Sequence, residues 1–128
     1  MLALQSLLQN RYRIDSLLGK GGMGAVYRAT DTRLSNVVAL KETLFQDERL
    51  RRAFEREAKL LAGLFHPALP KVSDYFSEGD GVFLVMAYVP GEDLQQMTER
   101  QPGPFPLGQV LDWADQILDV LEYLHGQQ

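Results

Sequence analysis

Gly19-Lys-Gly21-Gly-Met-Gly24-Ala-Val26 is the stretch from which the rest of the chain is read. Glycines at this spacing let backbone N–H groups turn toward a phosphate with no Cβ in the way. The same cluster also suits a plain hairpin turn or the first turn of a dinucleotide fold. The dinucleotide reading requires a helix to open at the third glycine. Here Val26-Tyr-Arg-Ala-Thr30 follows instead, a strand-forming run, and Tyr12 to Leu18 reads as a strand on the other side. The glycines therefore sit at a strand–loop–strand tip.

Downstream, Asp31-Thr-Arg-Leu-Ser-Asn36 supplies turn residues, and Val37 to Glu42 reads as a third strand. Short connections between the three imply an antiparallel meander. Alternation along the third strand puts Val37, Ala39 and Lys41 on one face and Val38, Leu40 and Glu42 on the other. A lysine beside small apolar residues is either a snorkelling edge residue or a buried cation with a partner. Glu48 to Phe65 carries helical periodicity, closed by His66-Pro67, because the residue before proline is pushed out of the α region. At about 100° per residue, Phe54, Leu61 and Leu64 lie within about 40° of Leu50, and Glu57 falls in the same stripe. A carboxylate there costs several kcal/mol unless a cation meets it. Lys41 is the available cation; the other reading is a partly exposed Glu57 at the helix edge.

Two more strands, Val72 to Phe76 and Val82 to Met86, flank a Ser77-Glu-Gly-Asp-Gly81 turn. Pro90-Gly91 ends the sheet-forming part. A short helix over about Leu94 to Glu99 and a Pro102-Gly-Pro-Phe-Pro106 loop lead to a last helix ending at His125. In it Val110, Trp113, Ile117, Leu121 and Leu124 form one apolar stripe.

The bulk properties narrow the class. The chain has 128 residues, 45% hydrophobic and 23% charged, an ordinary globular composition for one domain. A net charge of -4 and a pI near 5.1 lack the basic footprint of a nucleic-acid binder, so no nucleic-acid partner is expected. The absence of cysteine excludes disulfides and thiolate metal sites and suits a reducing cytoplasm. Residues 1–10 lack a basic n-region, and Gln5, Ser6 and Gln9 interrupt any apolar run, so the expectation is no signal peptide. They are expected to form a short helical or extended lead-in that packs Leu4, Leu7 and Leu8 on the domain.

Taken together, Gly19-x-Gly21-x-x-Gly24-x-Val26, Val38-Ala-Leu-Lys41 and Phe54-Glu-Arg-Glu57 resemble, in order, the signature set of protein kinases. Leu84-Val-Met-Ala-Tyr-Val-Pro-Gly91 looks like the strand and hinge joining two kinase lobes, and Leu121-Glu-Tyr-Leu-His125 like the helix end before the catalytic loop. The Gly-Gly-Met-Gly tip is similar to bacterial serine/threonine kinases of the eukaryotic type. The resemblance implies an α+β fold: a kinase N-lobe with a five-stranded antiparallel sheet and one main helix, then two helices from the start of the C-lobe. It divides the chain into an extension at 1–10, an ATP-binding N-lobe at 11–90 and the start of a C-lobe at 91–128.

The resemblance also implies a site. Leu18, Val26, Ala39 and Met86 would enclose adenine, with Met86 as gatekeeper. The Ala87 carbonyl and the Val89 N–H would bond the adenine edge. Gly19, Lys20, Gly21, Gly22, Met23, Gly24 and Ala25 would cover the phosphates. Lys41 would hold the α- and β-phosphates, oriented by Glu57. Asp93 is either a ribose contact or the N-cap of the next helix.

The H-R-D-x-x-x-x-N and D-F-G segments, which carry the catalytic Asp and the Mg2+ ligands in this family, are not in the sequence. A fragment of a longer serine/threonine kinase, inactive alone, is the expectation. The alternatives are a non-catalytic nucleotide-binding or docking module and a kinase-like small-molecule phosphotransferase. The 107–125 helix, its stripe uncovered, is expected to join copies of the chain into a homo-oligomer. The protein substrate is not legible.

Overall fold

Ala25, Tyr27, Ala29 and Asp31 are buried, and the residues between them are only half-buried, along β3 (Gly24–Asp31). That period of two is what a strand with one face on a core requires. The computed structural model describes residues 2–22, 24–45, 47–91, 93–101 and 103–127. Around β3 lie β1 (Leu7–Leu8), β2 (Tyr12–Gly21), β4 (Asn36–Leu44), β5 (Val72–Glu78) and β6 (Gly81–Ala87). They form one antiparallel sheet in the order β1-β2-β3-β4-β6-β5.

Among the described residues the sheet thus has six strands, one more than expected. The extra strand belongs to the lead-in, which is extended and reverses at Gln9 and Asn10, both at φ 53°. Leu7 and Leu8 then pair with Arg13 and Tyr12. Of the three leucines expected to pack, only Leu8 is buried; Leu4 and Leu7 are exposed, and Leu2 packs against the core instead.

One face of the sheet encloses Tyr12, Ile14, Tyr27, Ala29, Val38, Leu40, Phe83 and Val85. The sheet curls so far that β2 and β5, which are not neighbours in it, meet across this core. Tyr12 stacks on Phe76 at 5.7 Å, and its hydroxyl donates to Asp74 Oδ2 at 2.6 Å. Gln9 donates through its backbone N and its Nε2 to Glu78 Oε1. Right-handed twist accumulated over six strands makes such closure accessible. Burial, reinforced by the Asp74 contact, holds the Tyr12 hydroxyl well above the usual tyrosine range.

Arg11 clamps the far end of β3. Its guanidinium gives two hydrogen bonds to Asp31, at 2.9 and 2.7 Å, and the Arg33 and Leu34 N–H groups donate to the same carboxylate. The Arg11 hydrogen bonds come first among the causes that lower the Asp31 carboxyl to about 2. Its folded pKa lies below the unfolded value of about 3.9, so the stabilisation is full above that value and is lost as pH falls toward 2. With solvent screening allowed for, this amounts to about 1–2 kcal/mol. Asp31→Asn should therefore lower the melting temperature at pH 7 by several degrees and flatten the loss of stability between pH 4 and 2. Parallel acid unfolding curves for variant and parent would contradict this.

On the opposite face, α1 (Glu48–Ala62) covers β5 and β6 through Ala58, Phe54, Val72, Leu84, Tyr75 and Met86. Asp47 caps it by accepting from the Arg49 N–H at 2.8 Å. The helix ends at Ala62, three residues before the expected Phe65, because Gly63 supplies the cap and Lys71 Nζ donates to the Ala62 carbonyl. Burial, with a hydrogen bond to Glu55 of α1, pushes the Tyr75 hydroxyl up to about 12.

Contacts divide the chain into two units, Met1–Phe65 with Pro70–Val89, and His66–Leu69 with Pro90–Gln128. The second holds α2 (Leu94–Arg100) and α3 (Leu107–His125). Within it His66 Nε2 and Asp119 Oδ2 are 2.9 Å apart, and Phe105 meets Trp113 edge-on at 5.2 Å. Among the described residues no helix is long and apolar enough to cross a membrane.

Candidate nucleotide-binding site

Strand register assembles the site. Across β3, β4 and β6, Val26 pairs with Lys41 and Lys41 with Leu84; one step along, Arg28 pairs with Ala39 and Ala39 with Met86. Directly paired residues point to the same side of a sheet. Val26, Lys41, Ala39 and Met86 therefore share the face that carries α1. Three of the four residues expected to enclose adenine thus share a face with Lys41 for this reason alone.

A cavity of about 610 Å³ opens on this face, lined by Gly19, Lys20, Gly21, Gly24, Ala25, Val26, Lys41, Glu42, Thr43, Phe45, Phe54 and Glu57. That volume lies within the range of small-molecule sites. Of the expected residues, Gly19, Lys20, Gly21, Gly24, Ala25, Val26, Lys41 and Glu57 are brought together. Gly22 lies at the hairpin tip, beside a smaller cavity of about 150 Å³. Leu18, Ala39, Met86, Ala87 and Val89 are not part of the main lining: Leu18 and Val89 are exposed, Met86 is half-buried and Ala39 is buried. Met23 lies outside the described residues. Sequence reasoning missed Glu42, Thr43, Phe45 and Phe54 as lining; the place of Phe54 in the helix stripe was the one available signal.

The glycines divide into two kinds. A Cβ on Gly19, Gly21 or Gly22 would meet nothing within 4 Å, so these positions leave open space above the cavity. A Cβ on Gly24 would lie 1.8 Å from the Glu42 carbonyl oxygen. Gly24 is thus required for β3 to lie against β4.

Lys41 and Glu57 line the same cavity, yet no ion pair joins them, and both are exposed. The expected contact is absent because α1 turns Ala58, its one buried residue, toward the sheet. Glu57 sits about 100° away from Ala58 around the helix, at the edge and not on the buried stripe. At the other end of the sheet the Ala87 N–H donates to the Lys71 carbonyl at 2.9 Å. Asp93 caps α2: its Oδ1 accepts from the Gln96 N–H at 2.7 Å, and Gln96 Oε1 accepts from the Asp93 N–H. Among the described residues no group of three or more His, Asp or Glu could hold a metal ion.

A glycine-tipped hairpin over a cavity lined by Lys41 and Glu57, on a curled antiparallel sheet backed by one helix, defines the class as an α+β lobe with a small-molecule cavity. Comparison with known proteins carries this to a family. The model of the protein kinase domain matches residues 12–128, and the chain belongs to that family. It is 42% identical over 120 residues to serine/threonine-protein kinase pkn3 of Myxococcus xanthus, covering 91% of this chain and 22% of that protein. It is 32% identical to the probable serine/threonine-protein kinase YbdM of Bacillus subtilis, covering 94% and 48%. The crystal structure of the Mycobacterium tuberculosis PknI kinase domain superposes with a TM-score of 0.85 at 31% identity, covering 99% of this chain and 52% of that one. The chain thus spans about half of that kinase domain and less than half of each of these two curated relatives.

Proposed function

We propose that this chain is the ATP-binding portion of a serine/threonine protein kinase, which transfers the γ-phosphate of ATP to protein hydroxyls. The single observation that carries the reading is the cavity that sets Lys41 and Glu57 beneath the glycine hairpin. Adenine lies against Leu18, Val26, Ala39 and Met86, its edge bonded by the Ala87 carbonyl and the Val89 N–H. Backbone N–H groups of residues 19–24 approach the phosphates, which draw the Lys41 ammonium inward, where Glu57 orients it. Mg2+ in this family neutralises charge on the phosphates. The described residues of this chain do not supply its ligands, so no step through the metal is assigned to them.

The 128-residue chain should bind ATP weakly, with Kd in roughly the high-micromolar to millimolar range, and transfer no phosphate to a protein acceptor. Lys41→Met should weaken ATP binding without changing the melting temperature. Calorimetry showing equal affinity for GTP and ATP would remove the hinge assignment. Incorporation of labelled phosphate above background, abolished by Lys41→Met, would overturn the inactivity. On its own the chain should also self-associate through the apolar side of α3.

A further inference from the structure

Two helices carry matched stripes of opposite charge. On α1, Arg49, Arg52, Arg56 and Lys59 are all exposed, at spacings of three, four and three residues. On α3, Asp112, Asp115, Asp119 and Glu122 are all exposed at the same three spacings. At about 1.5 Å rise per residue each stripe is about 15 Å long. The four carboxylates are the only Asp and Glu residues of α3, which contains no Lys or Arg. They lie on the side opposite Val110, Trp113, Ile117, Leu121 and Leu124, so covering the apolar stripe leaves the acidic one open.

Little within the chain satisfies these charges. Arg52 has a loose contact with Glu48 at 3.8 Å, Asp119 meets His66, and Asp112 accepts from Gln116 Nε2 at 3.0 Å. Arg49, Arg56, Lys59, Asp115 and Glu122 have no side-chain ion pair among the described residues. Like charges three and four residues apart weaken a helix, so each stripe carries a repulsion that an opposite stripe relieves.

We propose that these stripes form an interface between copies of this chain, with the basic stripe of α1 in one copy seated along the acidic stripe of α3 in another. The two stripes are complementary in sign, number and spacing. Because three-four-three reads the same in both directions, the helices can run antiparallel, which also aligns their dipoles favourably. The contact is ionic and exposed, so it sets register and encounter rate more than tight affinity.

Sedimentation of the full 128-residue chain tests this. The salt-dependent part of its association should fall by about tenfold or more between about 0.05 M and about 1 M salt, where the Debye length shrinks to about 3 Å. Arg49→Glu with Arg56→Glu turns half of the basic stripe acidic, and Asp115→Lys with Glu122→Lys turns half of the acidic stripe basic. Either double variant alone should lose that association, with the circular dichroism of the parent. Mixed in equal amounts they should recover it, since with the helices antiparallel each reversed charge then meets one of opposite sign. Salt-insensitive association, double variants that associate like the parent, or a mixture no better than its components would each overturn the proposal.

Discussion

Gly24→Ala should lower the melting temperature by many degrees, whereas Gly21→Ala should leave it nearly unchanged. The two glycines face each other across the β2–β3 hairpin, yet their surroundings differ. A methyl at position 24 lands 1.8 Å from the Glu42 carbonyl oxygen, 2.9 Å from its carbon and 3.2 Å from the Thr43 Cα. All three are backbone atoms, so no rotamer change relieves the clash; β3 and β4 must part. Overpacking of this kind costs about 1–3 kcal/mol, and a domain of this size loses about 4–8 °C per kcal/mol. Parting also displaces Lys41, one residue from Glu42 on the same strand. At position 21 nothing lies within 4 Å, and the cost falls on ligand approach instead. Thermal unfolding and ATP titration should therefore separate the pair: Gly24→Ala loses stability and binding, Gly21→Ala loses binding alone. A Gly24→Ala protein that melts with the parent would mean that the strands are not in this register.

The second large effect concerns the apolar side of α3. No residue of this helix is buried, and Val110, Ile117 and Leu121 are 41%, 54% and 42% exposed. Trp113 is half-buried against Phe105, so the expected stripe is partly covered. Beside it runs a groove of about 380 Å³ lined by Ala68, Leu94, Trp113, Gln116, Ile117, Val120 and Leu121. Burying each such apolar side chain contributes about 1.5–3 kcal/mol, and monomers rarely leave a patch of this kind open. The chain should therefore be larger than a monomer by light scattering even at about 1 M salt, where ionic contacts are screened. Ile117→Asp with Leu121→Asp should return it to monomer under that condition and leave ATP affinity unchanged. A monomeric parent in high salt would remove the apolar contact and leave the charged-stripe proposal standing on its own test.

Much of the fold was legible because its signals are local. Alternation in Val37–Glu42, the glycines at 19–24, the helical period from Glu48 and the turn at Ser77–Gly81 each reflect preferences within a few residues. The resemblance carried by Val26, Lys41 and Glu57 implied a common site, and the three do line one cavity. Residues whose role depends on distant partners were not legible. Asp31 reads as a turn residue and Arg11 carries no signal until the two meet across the sheet, and Tyr12 shows no sign of Asp74, 62 residues away. The strand at Leu7–Leu8 is two residues long and carries no period at all.

Leu7–Leu8 apart, sequence alone determined which segments become strands and helices, and which side chains face together along each one. Backbone sterics and side-chain spacing act within a few residues, and they are written in the order of the chain. Tertiary structure decided how each element is turned against its neighbour. On α1 the stripe that holds Leu50, Phe54 and Glu57 can pack with Glu57 at its centre or turned toward Phe54 and Ala58. Packing against Val72 and Leu84 selected the second and left Glu57 at the edge, apart from Lys41. The rotation of a helix is set by the volumes it must fill, and those volumes belong to residues elsewhere in the chain.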